Sequence, residues 1–170
     1  MLRTDLACRR PGKRESLADI VSPAKRSRMM AGIKGKNTKP EITVRKLLHE
    51  AGFRFRLHRK DLPGKPDIVL PRYRTAVFVN GCFWHGHENC HLFRLPKSRE
   101  EFWQEKISGN IARDRQKHDE LLASGWRVLV VWECALKGKN RLEESRLSLL
   151  LMNFLQHSSE NTGRIRGERL

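Results

Sequence analysis

The chain has 170 residues and carries 35 Lys and Arg against 19 Asp and Glu, a formal charge of +16. That length supports one domain with a modest core, and the cationic surplus points to a polyanionic partner, with nucleic acid ahead of a membrane surface. Apolar runs such as RVLVVW and LSLLLMNFL fall far short of the ~20 residues a spanning helix needs, and MLRTDLACRRPGKRE has no apolar leader segment, so a soluble, cytoplasmic protein with no membrane association is expected.

Residues 1–21 are rich in Arg, Lys, Gly and Pro without apolar periodicity and read as a flexible basic arm. The basic segment SPAKRSRMMAGIKGKNTKPE follows, with Met29, Met30 and Ile33 able to form a helical turn or two. Thr38 and Glu41 have capping-box spacing, and Val44, Leu47, Leu48 and Ala51 then repeat as one helix face until Gly52. FRFRLH, from Phe53 to His58, alternates as a half-buried strand does, and LPGK turns the chain into PDIVLP. After PRYR, TAVFVN forms a third strand that runs directly into VNGCFWHGHENCH. Ser98 and Glu101 repeat the capping-box spacing and open a long charged helix, with Trp103, Ile107 and Ile111 along one stripe and an end at Gly125. WRVLVVW is a continuous apolar strand of the kind buried on both faces, and RLEESRLSLLLMNFLQ supplies a closing helix. The domain is expected over 22–157, with 158–170 a disordered polar tail. The element order implies an α/β fold, a mixed sheet flanked by helices.

Within the Cys/His stretch, Cys82, His87 and Cys90 are spaced to wrap a tetrahedral ion, and Cys134, just past WRVLVVW, is the natural fourth ligand if that strand runs beside the one ending at Val79. Three thiolates and an imidazole leave no open position, so the ion would be structural zinc. Clustered cysteines in an intracellular setting favour metal over disulfides. His85 and His91 remain alternative ligands.

Asp67 follows Pro66 at the head of a strand in KPDIV. Alone it is a turn residue, but the helix, three-strand, helix, strand order around a PD dipeptide resembles the restriction-endonuclease-like nucleases, which use carboxylates and a lysine on adjacent strands. TAVFVN supplies neither acid nor lysine, so that pattern is half present. Glu41 could be the second carboxylate or could serve only its capping box.

From about Ser22 to Asn140 the sequence resembles the very short patch repair (Vsr) mismatch endonucleases, which have a restriction-endonuclease-like fold. The stretches that carry the resemblance are SRMMAGIKGKNTKPE, LPGKPDIVL, AVFVNGCFWHGHENCHLF, EFWQEKISGNIARD and GWRVLVVWECAL. It implies a magnesium-dependent enzyme that nicks one strand of double-stranded DNA on the 5′ side of the thymine in a T:G mismatch. By the same resemblance Asp67 binds Mg²⁺ together with the backbone carbonyl of Val79, His85 is a catalytic histidine, and Glu41 is an auxiliary acid. Cys82, His87, Cys90 and Cys134 fall on the family's structural zinc ligands. Phe83, Trp84 and Trp103 match aromatic rings pushed between base pairs, and Met30 and Ile33 match an arm that approaches from the minor groove. An inserted ring unstacks bases at a cost that is smaller at a mismatch; the plainer role for Trp84 is core filling, and for Trp103 a buried helix face.

One departure stands out. Many members have a histidine where this chain has Asn80, and Asn takes no proton at neutral pH, so general-base work would pass to His85 or the metal. Phosphate contacts are expected from Arg26, Arg28, Lys34 and Lys36 in the arm and from Lys106 and Arg113 on the long helix. The rival readings are a same-fold nuclease for another mismatch or a methylated site, and a non-catalytic zinc-stapled DNA-binding module, which Asn80 makes thinkable. The expected setting is a bacterial monomer on the nucleoid, with mismatch-repair proteins as further partners.

Overall fold

The computed structural model describes Ser22, Ala24, Lys25, Arg28 and residues 35–168. Met30, Ile33, Arg26 and Lys34 lie outside the described residues. The Thr38–Glu41 capping box forms as its spacing requires: Thr38 Oγ1 accepts from the Glu41 amide and the Glu41 carboxylate reaches back to the Thr38 amide, opening helix α1 (Lys39–Glu50). Val44, Leu47 and Leu48 bury the apolar face of α1.

Five strands follow one another across a single mixed sheet, β1 (Arg56–Leu57), β2 (Ile68–Leu70), β3 (Thr75–Asn80), β4 (Arg127–Trp132) and β5 (Thr162–Ile165), in that spatial order. The pairs β1–β2 and β2–β3 are antiparallel, and β3–β4 and β4–β5 are parallel. A parallel neighbour cannot be reached by a tight turn; helix α2 (Glu100–Ala123) makes the first crossover and α3 (Glu144–Gln156) the second. Alternation along the two central strands divides the core. Val77, Leu129 and Val131 face the cluster containing Val44, Leu48, Leu147 and Leu151, whereas Ala76, Phe78, Val128 and Val130 face Leu121 of α2. Both strands are therefore covered on both faces, which is why TAVFVN and RVLVVW read as continuous apolar runs.

Three expectations need correction. The strand expected over Phe53–His58 pairs only at Arg56 and Leu57, because Phe53 turns into the core and His58 adopts a left-handed conformation, φ 46°, that ends the strand. The Ser98–Glu101 capping box does not form: Arg99, at φ 55°, takes the cap position, so Ser98 falls one residue too early. The tail expected to be disordered over 158–170 instead supplies β5, registered against β4 from Val128↔Thr162 to Val131↔Ile165. Its one apolar anchor is Ile165, 5% exposed. Gly163 allows the close approach, since a Cβ there would lie 2.5 Å from the Phe154 ring.

Candidate active site

Everything of chemical interest hangs on the C-terminal end of β3. Because β2 runs antiparallel to β3, Asp67, just before β2, lies against the end of β3, where its Oδ2 accepts the Val79 amide proton at 2.8 Å. Among the described residues no hydrogen bond reaches Asp67 Oδ1, which leaves that oxygen for a cation. Burial raises the Asp67 carboxyl to about 6, against a smaller lowering by the Val79 amide; the negative charge of Glu41 adds to the rise, while Arg45 and His85 oppose it.

Asp67 lies in a cleft of about 1380 Å³ lined also by Asn80, His85, Arg113 and Asp114, larger than the usual small-molecule pocket. Glu41, His58 and Asp67 place ligand atoms within 4.8 Å of one another at one side of it. His58 was not anticipated from the sequence; its backbone is left-handed, and a ring nitrogen lies within 4.8 Å of the Asp67 carboxylate. Asn80 is 6% exposed at the end of β3, a buried amide within the cleft wall.

The loop after β3 is docked on α2 by one helical stripe. Gly86, at φ 59°, lies flat on Ile107 and Ile111, where a Cβ would come within 2.5 Å of Ile111 Cδ1. Asn110 Nδ2 donates to the Trp84 carbonyl at 2.8 Å, and one turn on, His85 Nδ1 meets Asp114 Oδ2 at 2.5 Å. Asp114 is the second functional residue that sequence reasoning missed. Since the carboxylate fixes Nδ1–H as its donor, Nε2 is left as the nitrogen available to substrate or water.

Phe83, Trp84 and Trp103 form a mutual ring cluster with centroids 5.1 Å, 5.4 Å and 6.1 Å apart, and Phe102 joins at 5.3 Å. None of the three is buried, and Phe102 is 45% exposed, so core filling does not account for them. Arg28, Lys36, Lys106 and Arg113 are exposed, and Lys36 and Arg113 line the cleft.

On the far side of the loop Cys82, His87, Cys90 and Cys134 bring their ligand atoms within 4.8 Å of one another. The parallel β3–β4 register, with Asn80 opposite Trp132, is what sets Cys134 beside Cys82. His87 Nδ1 lies 3.4 Å from Cys82 Sγ and 3.5 Å from Cys134 Sγ, matching the ~3.6 Å spanned by S and N ligands of a tetrahedral zinc with bonds of ~2.3 and ~2.05 Å. The donor set therefore fits zinc. His87 stacks on Trp132 at 4.0 Å, and the Gly167 amide donates to Cys134 Sγ at 3.3 Å, so the end of the chain closes over the cluster. Hydrogen bonding from Cys82 lowers the Cys134 thiol and correspondingly raises that of Cys82. Of the alternative ligands, His85 is engaged by Asp114, and His91 lies outside the cluster, its ring nitrogens buried against Gly138.

A family model described as DNA mismatch endonuclease Vsr matches residues 18–91. The chain is 52% identical over 134 residues to the type II nicking enzyme V.XorIIP of Xanthomonas oryzae pv. oryzae, covering 79% of this chain and 98% of that protein. It is 50% identical over 123 residues to the type II nicking enzyme V.NmeAIP of Neisseria meningitidis, covering 72% and 87%. It is also 45% identical over 139 residues to the DNA mismatch endonuclease Vsr of Escherichia coli, covering 82% and 88%.

Proposed function

Because the chain belongs to the Vsr family of DNA mismatch endonucleases and is thus an endonuclease acting on DNA, we propose that it hydrolyses one phosphodiester bond 5′ of the thymine in a T:G mismatch and depends on Mg²⁺. The observation that carries this reading is the cleft shared by Asp67 and the His85–Asp114 pair, with the Phe83–Trp84–Trp103 cluster on the same loop and helix. Asp67, with the Val79 carbonyl, would hold Mg²⁺, a hard ion that is satisfied by one or two carboxylates plus water and phosphate. The chemistry a bound Mg²⁺ supplies there is Lewis-acid stabilisation of charge on the scissile phosphate.

The chain's own groups do the rest. Asp114 fixes the His85 tautomer, and His85 Nε2 takes the proton of the attacking water as the water oxygen bonds to phosphorus and the bond from phosphorus to the leaving sugar oxygen breaks, that oxygen taking a proton from solvent water. Asn80 lines the cleft and takes no proton; its amide offers one donor group and one acceptor there. Phe83, Trp84 and Trp103 test stacking, because a ring wedged beside a wobble pair displaces less stacking energy than beside a matched pair. Arg28, Lys36, Lys106 and Arg113 would neutralise phosphates, so affinity falls steeply with salt. Cys82, His87, Cys90 and Cys134 would hold a structural Zn²⁺ that ties the loop to β4.

Duplexes carrying T:G, G:G, T:T or matched pairs, labelled on each strand in turn, test the reading. The expected result is a single nick 5′ of the thymine in T:G, present with Mg²⁺ and absent without it. Equal cutting of matched and mismatched duplexes, or preference for another mismatch, would overturn the T:G assignment.

A further inference from the structure

The loop after β3 walls a second hollow beside the cleft that holds Asp67. Its volume is about 590 Å³, and it is lined by residues 89–91, Phe93 and Arg94 of that loop and by Lys139 and Asn140 beyond β4. The two hollows share these walls. Leu92 and Lys137 line the cleft, while the residues on either side of Leu92, and Lys139 two positions past Lys137, line the second hollow. The Phe93 ring lies 6.3 Å from that of Phe83, which belongs to the cleft wall. A nucleic-acid backbone running out of the cleft across this loop therefore meets the second hollow next.

No carboxylate lines the second hollow, and its ionisable groups besides Cys90 of the cysteine cluster are Arg94, Lys139 and His91. Arg94 and Lys139 are exposed, and among the described residues neither takes part in a hydrogen bond or an ion pair. Both ring nitrogens of His91 are buried without a hydrogen-bond partner among the described residues. One of them carries a proton in either tautomer, and a buried N–H without an acceptor is costly. Gly138, at φ 87°, lets the turn carrying Lys139 close on this ring, since a Cβ there would lie 2.6 Å from His91 Nε2. The lining thus offers donors and positive charge and asks for an acceptor-rich anion. Its volume exceeds what an isolated anion needs and falls in the range of sites for small organic groups. A phosphate with its deoxyribose suits both halves of the wall, the oxygens facing the cations and the sugar facing Phe93.

We propose that this hollow is a second DNA-binding site, in which Arg94 and Lys139 grip one backbone phosphate of the duplex outside the nicked step. The inference rests on the reading of the Asp67 cleft as the place where duplex DNA is cut. His91 and Gly138 are positioning residues that hold the Lys139 turn against the Arg94 loop.

Fluorescence anisotropy with the full chain, on T:G and matched duplexes over a range of salt concentrations, reads the site. Arg94→Ala combined with Lys139→Ala is expected to lower the slope of log affinity against log salt by about 1, equally on both duplexes, with single-turnover nicking at saturating protein unchanged. Arg54→Ala combined with Arg72→Ala removes the same charge at the end of the sheet opposite the cleft and is expected to leave the slope as it is. Replacing one phosphate at a time by an uncharged methylphosphonate locates the contact: wild type is expected to lose affinity at a position outside the nicked step where the Arg94 and Lys139 double variant loses none. Lys139→Gln, in the same scan, decides if the double variant does not fold. A double variant with the wild-type slope, a slope change matched by the Arg54 and Arg72 control, or no methylphosphonate position that separates wild type from variant would overturn the inference. Any of these alongside intact T:G nicking by wild type removes this inference alone, whereas wild type that binds no duplex removes it together with the proposed function.

Discussion

The two ligand clusters at the end of β3 are built from opposite rules. In the Cys82, His87, Cys90 and Cys134 group three soft thiols and one imidazole converge, and elements as distant in sequence as the β3 loop, the turn after β4 and the segment after β5 at Gly167 close around it. In the Asp67 group two hard carboxylates stand with one imidazole, Glu41 is consumed by its neighbours, and among the described residues one Asp67 oxygen stays open toward a wide cleft. A closed set of thiolates suits an ion that never exchanges, and an open carboxylate suits one that must leave room for water and phosphate. Under the proposed function, the same strand end separates holding the fold from doing the chemistry.

The largest effect expected from breaking this contrast is at the closed cluster. Cys134→Ser, or removal of zinc by a strong chelator, should lower the melting temperature by at least ~10 °C and abolish nicking, because metal binding of order 10 kcal/mol is folding energy at such sites; metal content and a thermal melt check it. At the open cluster, Asp67→Asn should cut nicking by ~10³-fold or more, a barrier change of about 4 kcal/mol, measured in single-turnover assays, with the fold intact.

The same substitution has a second signature with a definite sign. Burial raises Asp67 from 3.8 to about 6, so the folded protein holds a proton the unfolded chain has released between those values. Stability is therefore greatest below pH 4 for this group and falls as pH rises through the window, by about 3 kcal/mol in all. Asp67→Asn should abolish that slope and, at pH 8 without added divalent ions, exceed wild type in unfolding free energy by up to this amount. For the same reason the apparent affinity for Mg²⁺ should drop about tenfold for each pH unit below 6, as seen by isothermal titration.

Smaller effects sharpen the picture on the helix side. Asp114→Asn, which leaves His85 without its fixed tautomer, should slow nicking by ~10²-fold or more with DNA affinity unchanged. Trp84→Ala should weaken binding by about 1–3 kcal/mol, more on T:G than on matched duplex, in a fluorescence anisotropy titration.

Where the sequence was informative, short-range spacing carried the signal. The Thr38–Glu41 box, the paired apolar strands and the Cys82, His87, Cys90 spacing are local patterns, and Cys134 followed from placing two strands side by side. Asp114 lies 29 residues from His85 on a helix crowded with charge, and nothing in ARDRQKHDE marks one acid as inward-facing. Its signal was the stripe Ile107, Asn110, Ile111, Asp114, legible once the loop is known to lie there. His58 was hidden by a left-handed non-glycine residue. Strand β5 was hidden because TGRI has one buried apolar residue and gains its stability from β4 and Phe154, not from its own composition. Glu41 had two competing roles on paper, and only its four donors make the capping role visible in full.

Anomalous diffraction from crystals of the full chain soaked in Mn²⁺, recorded at wavelengths that separate manganese from zinc, tests the two-cluster account most directly. The account predicts zinc among Cys82, His87, Cys90 and Cys134, and manganese at Asp67. A cysteine cluster without zinc, or manganese bound away from Asp67, would contradict it.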